Sequence, residues 1–487
     1  MLDVQSTFLA IDDAIFSSTE SLKLEMCRAQ RYPGNPVLRM GGRGAPDEQG
    51  ASAYGTVLYM DGRFRMWYTG YRNFSKRRPG YERLPVEETH FICYAESDDG
   101  VHWVKPDLGL YDMGGHRPNN VVGYGQFACV LHDPEDPAPE RRFKMAAGVW
   151  PDEGGFFLGP RLGTSPDGLH WTYSEKGRWF NPRSNSMEVG TLYKVGDTYH
   201  FGGQALGFKD PEGNPLGRAL GVWRSKDFEH WIDPEEPSFY IPNRPGGKEQ
   251  TPQVHHGAAV WNRGNVLLGV YGYFYPPHAK KVPWDETPDP GYWWLFSDLG
   301  LVISHDGFHF CEPVPGHILL PLGEEGAWDG GSVWQSNGFV DVGDETWFWY
   351  GGEPYALSTF YMDHQTGLAM LRRDGFGYRA LDRGYLTGSF TTVPIRGIKQ
   401  PNLRLFVNVE GLSPTTTLRL ELQDAEQVPI PGYTAKECTS PQASGVKVPV
   451  RWGFRQWLED LPVDTVRVKA HFSGEGRSPK VYALYFG

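Results

Sequence analysis

The apolar positions of this chain fall in short runs, each halted by a turn-forming residue, and the runs recur in pairs. Tyr54 to Met60 stops at Asp61-Gly62 and is answered by Phe64-Arg65-Met66-Trp67-Tyr68. The same pairing links Phe127 to Leu131 with Arg142 to Ala146, and Val189 to Val195 with Tyr199 to Gly202. It links Gly257 to Trp261 with Val266 to Tyr271, and Gly338 to Val342 with Thr346 to Tyr350. Runs of this length, bounded by Gly, Asp and Asn, predict antiparallel strands joined by tight hairpins.

A second motif follows each pair. Ser97-Asp98-Asp99-Gly100-Val101-His102-Trp103 returns as Ser165-Pro166-Asp167-Gly168-Leu169-His170-Trp171. It returns again as Ser225-Lys226-Asp227-Phe228-Glu229-His230-Trp231 and as Ser304-His305-Asp306-Gly307-Phe308-His309-Phe310. Arg372-Arg373-Asp374-Gly375-Phe376-Gly377-Tyr378 is a worn fifth copy. Asp at the first turn position bonds its own backbone, Gly takes the positive φ, and the aromatic packs between neighbours. The repeated Asp is therefore read as structural.

Five copies predict five equivalent four-stranded units. Four antiparallel strands repeated radially hide their edges by closing a ring, so the expected fold is all-β, a five-bladed β-propeller over residues 1–385. An apolar N-terminal segment before Asp12 and Asp13 is expected to complete the last blade. After Leu386 the pattern changes. Asn402 to Val409, Thr417 to Leu422, Thr465 to Val468 and Val481 to Tyr485 alternate without the turn motif. That predicts a C-terminal β-sandwich domain over 386–487.

Composition narrows the function. Aromatics make up 14% of 487 residues, with 61 Gly and 39 Pro, too aromatic for disorder and too punctuated for a helical bundle. Net charge is -12, without a basic run, which argues against nucleic-acid and anionic-membrane surfaces. No apolar stretch approaches a membrane span, and no secretory signal is evident, so the expected location is cytoplasmic. Cys27, Cys93, Cys129, Cys311 and Cys438 are scattered and odd in number, as expected of reduced thiols rather than a disulfide framework or a zinc site. No cofactor or metal is expected.

In a propeller the residues just before each first strand, and the loops joining second to third strands, lie opposite the Asp-Gly turns and converge on the central channel. This filter rejects Asp133, which ends a first strand at the hairpin rim. It selects Glu188, just before Val189, as a carboxyl whose pKa a closed aromatic cleft would raise for general-acid work. It also selects Asp329, whose neighbour Trp328 offers a sugar-stacking surface, and Asp47 or Glu48 as a second working carboxylate. His255 and His256 precede the fourth unit's first strand. Adjacent residues on a strand point oppositely, so at most one is expected to face the channel. Arg72, Gln204, Tyr273 and Glu353 end second strands on the same face and suit substrate recognition. Tyr124 and Gln126 lie where the second unit would contribute.

Met66-Trp67-Tyr68-Thr69-Gly70, the Ser97-to-Pro106 turn and Phe348-Trp349-Tyr350-Gly351-Gly352 together resemble the five-bladed glycoside hydrolase superfamily. With the appended sandwich, the chain is most similar to glycoside hydrolase family 32. The resemblance implies a blade-three acid, matched by Glu188, and a blade-one nucleophile, matched in position by Glu48 or Asp47. Asp329 would stand in for the blade-two carboxylate. The family's Asn-Asp-Pro-Asn-Gly run is absent, so the expected activity is an exo-acting glycosidase on a short oligosaccharide or furanoside, without fructose specificity. A glycoside phosphorylase and a non-catalytic glycan-binding propeller are the alternatives.

Overall fold

The computed structural model describes residues 2–72, 89–113, 119–148, 160–174, 189–242, 253–275, 296–354, 363–475 and 477–487. These residues are all-β, and their named helical segments are two single 3-10 turns, Asp13–Ile15 and Pro139–Arg141.

Five groups of antiparallel strands follow the predicted pairs. In unit one, Gly50–Met60, Arg63–Tyr71, His90–Ser97 and Val121–Tyr124 pair in succession. Asp61 and Gly62 both take positive φ, as a two-residue hairpin turn requires. Unit two runs Gln126–His132, Phe143–Gly148, Pro160–Ser165 and Thr172–Tyr173. Unit three holds Val189–Val195, Thr198–Ala205 and Ala219–Ser225, with single bridges from Ile232 and Phe239 at its outer edge. Unit four is Gln253–Asn262, Leu267–Tyr275, Phe296–Ser304 and Ile318–Leu320. Unit five is Ser332–Val342, Glu345–Glu353 and Gln365–Arg372, and its fourth strand, Gln30–Arg31, arrives from the start of the chain.

First strands neighbour one another in cyclic order, one to five and back to one. Each neighbouring pair of units encloses its own apolar cluster. Trp67, Ile92, Val130 and Phe143 fill the gap between units one and two, and Val57, Tyr68, Trp349 and Leu368 that between five and one. Every unit thus buries both faces of its sheet, and this contact area is the main stabilising term.

The repeated turn motif locks each unit to the one before it. Asp99, Asp167, Asp227 and Asp306 each accept two backbone N–H bonds at 2.8–2.9 Å and a bond with the motif histidine Nδ1 at 2.6–2.7 Å. Burial alone would raise these carboxyls. The amide and imidazole donors outweigh it and hold all four below the usual carboxylate range. The backbone carbonyls of the turns so shaped become acceptors. Trp349 Nε1 of unit five donates to Gly100 O at 3.1 Å, and Trp67 Nε1 of unit one to Gly168 O at 2.7 Å. Arg141 of unit two donates to Asp227 O at 2.9 Å, and the Tyr193 hydroxyl of unit three to Gly307 O at 2.6 Å. Arg263 of unit four closes the series on Asp374 Oδ1 at 2.7 Å. The worn fifth copy has kept its Asp for this bond.

Asp133, rejected by the filter, holds the hairpin rim together. Its carboxylate takes Lys194 Nζ at 3.0 Å and the Tyr199 hydroxyl at 2.6 Å.

The remaining strands form two further six-stranded sheets and a two-stranded ribbon, Cys438–Thr439 with Arg451–Trp452. One six-stranded sheet contains Leu2–Asp3, Phe16–Glu20, Thr387–Thr392, Ile395–Arg396, Thr416–Gln423 and Thr465–Gly474. The other contains Phe8–Leu9, Leu22–Met26, Gly377–Leu381, Leu405–Glu410, Gly445–Pro449 and Lys480–Phe486. Both contribute to one core that includes Phe8, Leu405, Val407, Leu420, Val466 and Leu484.

The expected boundary at 385/386 does not follow this pairing. Phe8–Leu9 pairs with Leu484 and Ala483, and Leu22–Met26 pairs with Gly377–Leu381. The segment before Asp12 therefore joins the C-terminal sheets, and the later pair Gln30–Arg31 completes unit five. Asp12 caps the following turn and contacts His305 at 2.9 Å, and Asp13 pairs with Arg379.

Candidate functional site

All five first strands bulge at the same level. The register slips between Ser52 and Thr56, Gln126 and Cys129, Val189 and Thr191, His255 and Ala258, and Gln335 and Phe339. A bulge inserts unpaired residues and turns the strand, so the backbones crowd together at the axis. At Gly190 a Cβ would lie 2.2 Å from His256 O, and at Gly338, φ 112, 1.9 Å from Val57 O. Only glycine fits there.

Asn337 occupies the junction. Its Nδ2 donates to Gly55 O at 3.1 Å and Gly190 O at 3.0 Å and lies 3.3 Å from Cys129 Sγ, so one amide ties unit five to units one, three and two. Gln335 Nε2 binds His255 O and Gly257 O, both at 3.2 Å, and adds unit four. These amides form a floor across the axis.

Aromatic and imidazole rings from four units adjoin that floor. Tyr54 meets Phe127 at 3.9 Å and stacks on His256 at 4.8 Å. Trp334 lies 5.2 Å from His256, 5.0 Å from His255 and 6.0 Å from His364. His255 also stacks on Phe274 at 3.7 Å. Tyr71 joins the group between His364, at 5.1 Å, and His90, at 5.2 Å. The Arg218 guanidinium is 5.7 Å from the Phe274 ring and donates to Gln204 Oε1 at 2.9 Å. His90, Arg218 and His364 directly precede or begin third strands, while Tyr71, Gln204, Phe274 and Glu353 come from second strands. The group is therefore drawn from one end of the units.

Both His255 and His256 belong to it. The expectation that only one could do so assumed regular alternation. His256 has φ 55 and Gly257 φ 80 inside the bulge, so the two rings come to 3.2 Å between centroids and both meet Trp334.

Among the described residues, Glu353 is the carboxyl of this group. Register places it opposite Ser332, and its Oε2 is 3.3 Å from His364 Nε2. Burial drives the Glu353 carboxyl well above the usual carboxylate range, against the opposing pull of the Ser332 hydroxyl and Trp334 indole beside it. Burial also pushes the His364 imidazole down to about 3. Burial thus favours the uncharged form of both partners. Burial, with His364 nearby, takes His90 down to about 3 as well, and burial with His256 and Arg218 depresses His255. Nothing among the described residues neutralises Glu353 with a Lys or Arg.

The other selected residues are placed differently. Glu188 lies outside the described residues. Asp329 and Asp47 occupy matching brackets in units five and one. Asp329 Oδ2 takes Arg31 Nε at 2.7 Å and the Tyr350 hydroxyl at 2.9 Å, and Asp47 Oδ2 takes Lys105 Nζ at 2.5 Å and the Tyr68 hydroxyl at 2.8 Å. Both carboxylates are at most 2% exposed. The same Asp, Tyr and cation recurring in two units is the mark of a framework contact. Asp329→Asn is expected to cost about 3 kcal/mol of stability by leaving Arg31 unpaired, with turnover per folded molecule retained. Melting curves beside active-site-normalised rates check this, and lost turnover at full stability would return Asp329 to the chemistry.

Glu48 turns back on its own loop to accept Gly44 N at 2.7 Å. Trp328 lies against Tyr350 at 5.6 Å rather than in the aromatic group. Tyr273 shares the other face of its strand with Tyr271 and Tyr275, so the ring that meets His255 is its neighbour Phe274. Tyr124 belongs to the fourth strand of unit one and packs on Phe91 and Tyr111. Gln126 is buried at the start of unit two, and Arg72 is half-buried just past Tyr71. His90, Arg218 and His364 were missed, although the rule that chose Glu353 applies equally to residues entering third strands.

No family model matches the chain. The A type blood N-acetyl-α-D-galactosamine deacetylase of Flavonifractor plautii is 32% identical over 126 residues, 24% of this chain. The chain thus spans 15% of the length of the curated relative it matches. Among solved structures, a glycosyl hydrolase from Bacteroides ovatus aligns with TM-score 0.45 and 14% identity, over 72% of this chain and 94% of its own. An N-acetylgalactosamine deacetylase from F. plautii, in complex with blood group B trisaccharide, aligns with TM-score 0.42 and 18% identity, over 72% of this chain and 96% of its own.

Proposed function

We propose that this chain is a glycan-acting enzyme, a glycoside hydrolase that takes the terminal sugar of a short oligosaccharide or furanoside against the axial floor, with Glu353 as proton donor. In this reading the five units are the blades of a five-bladed propeller and the two C-terminal sheets a sandwich beside it. The observation that carries it is the buried Glu353–His364 pair, 3.3 Å apart in an aromatic surrounding that favours the protonated carboxyl. General-acid catalysis needs a carboxyl still protonated at working pH, and burial without a cationic partner supplies one. Glu353 thereby takes the acid role expected of Glu188. Glu188, one residue before Val189 in the sequence, is proposed as the partner carboxylate. The aromatic rings and amides around Glu353 suit the mixed apolar and hydroxylated faces of a sugar.

A second reading, hydrolysis of the amide of an acetamido sugar, is favoured by the local identity with the F. plautii deacetylase. One experiment separates the two. The protein is incubated with aryl-glycosides, pentofuranosides included, and with acetamido-sugar oligosaccharides, with and without inorganic phosphate. Released aglycone or sugar and released acetate are both measured. Aglycone or sugar released by the wild type and not by Glu353→Gln is the expected result. Acetate alone supports the second reading, and phosphate dependence indicates phosphorolysis. Sugar binding that survives Glu353→Gln with no product from any substrate would overturn the enzyme reading.

A further inference from the structure

We propose that Ser332 and Trp334 are positioning residues that receive the charge of Glu353 once it has given up its proton, and that His364 holds that proton in place beforehand. This rests on the reading of Glu353 as the acid. Ser332 Oγ, Trp334 Nε1 and Glu353 Oε1 are all buried, and although both donors stand beside the Glu353 carboxyl, none of the three completes a well-aligned hydrogen bond among the described residues. Buried polar atoms are nearly always bonded, and here three orphans belong to residues at one end of unit five, Ser332 directly opposite Glu353. Trp334 has its face against His256 at 5.2 Å and 23°, and its N–H stands beside the Glu353 carboxyl.

The orphans are explained by a second protonation state. A neutral Glu353 shares its proton with His364 Nε2, 3.3 Å away, and needs no other donor. In the transfer its O–H bond breaks and the proton bonds to the glycosidic oxygen. The bond from that oxygen to the anomeric carbon breaks with its electron pair left on the oxygen, and water supplies the hydroxyl that ends on the anomeric carbon while its other proton returns to Glu353 and closes the cycle. Between the two proton transfers Glu353 is a buried anion, and the Ser332 hydroxyl and Trp334 N–H are the neighbouring donors able to turn to it. A preorganised donor that acts only on developing charge lowers the barrier without tightening the ground state.

Other groups bear on the same carboxyl. His90 lies beyond His364 across Tyr71, and His255 and His256 lie beyond Trp334. Asp329, bracketed by Arg31, packs behind Gly352. The variants leave all of these in place.

The test is an infrared titration of the protonated carboxyl band, assigned by its loss in Glu353→Gln, which needs no substrate. Trp334→Phe and Ser332→Ala remove donors to the anion, so the midpoint moves up by about half a pH unit or more. His364→Asn removes the acceptor that favours the acid, so the midpoint moves down by a similar amount. Where a glycoside substrate is in hand, the alkaline limb of kcat/KM moves in the same two directions. Melting curves confirm folding, and Ser332→Ala, the smallest change, carries the test if Trp334→Phe does not fold. Shifts of one sign, or none, with Glu353→Gln inactive would overturn the inference alone. An active Glu353→Gln would overturn the acid assignment beneath it.

Discussion

Glu353→Gln is expected to lower kcat/KM by about 10²–10⁴-fold and, at neutral pH, to make the protein more stable. The two effects share a cause. Burial raises the folded-state pKa of Glu353 above the value of an unfolded glutamate. Below that unfolded value both states hold the proton and the group contributes nothing to pH dependence. Above it the unfolded chain releases a proton that the folded chain retains, so stability falls as pH rises until the folded pKa is passed. Glu353 should therefore contribute a decline in wild-type melting temperature as pH rises above the unfolded carboxylate value, and that contribution should be absent from Glu353→Gln. Differential scanning calorimetry across a pH series, run beside the product assay, reads both. A variant that lost activity and stability together would make Glu353 a framework residue.

How much of this was legible in the sequence depends on the range of the interaction. The Asp-Gly turns could be read because Asp99, Asp167, Asp227 and Asp306 bond atoms two and three residues away. The strand pairs could be read because hairpins are local. Counting which end of each strand faces the axis then led to Glu353, Gln204 and His255. The same count failed where one residue decides the face. Tyr273 was chosen over Phe274 because it was taken as the strand's end, whereas the strand runs on to Tyr275 and its alternation puts Tyr273 on the other face, and His256 was set against His255 because a bulge with positive φ leaves no mark on alternation. The bracket around Asp329 was invisible because Arg31 is supplied from 298 residues away. The pairing of Phe8–Leu9 with Lys480–Phe486 was missed for the same reason.

Asn337→Ala is the substitution expected to unsettle the ring itself. The side chain spans the axis, and its removal takes the donor from Gly55 O and Gly190 O at once. Those carbonyls sit among bulged backbones too tight for even a methyl group at Gly190 or Gly338. Stripping Gly190 O of this donor and leaving Gly55 O with only the long Ser336 Oγ contact at 3.5 Å costs about 2–4 kcal/mol, more than the loss of a lock such as Trp67 to Gly168 O, where a single bond of about 1 kcal/mol goes. Urea unfolding should show the difference as a lower midpoint for Asn337→Ala. Catalysis should suffer before stability does, because the bulges that bring His255 and His256 to Trp334 rest on this amide and its neighbour Gln335. A kcat/KM that falls in the folded variant, at a temperature where far-UV dichroism is unchanged, is the expected pattern. A stability loss under about 0.5 kcal/mol would mean that the packing between units holds the axis without its central amide.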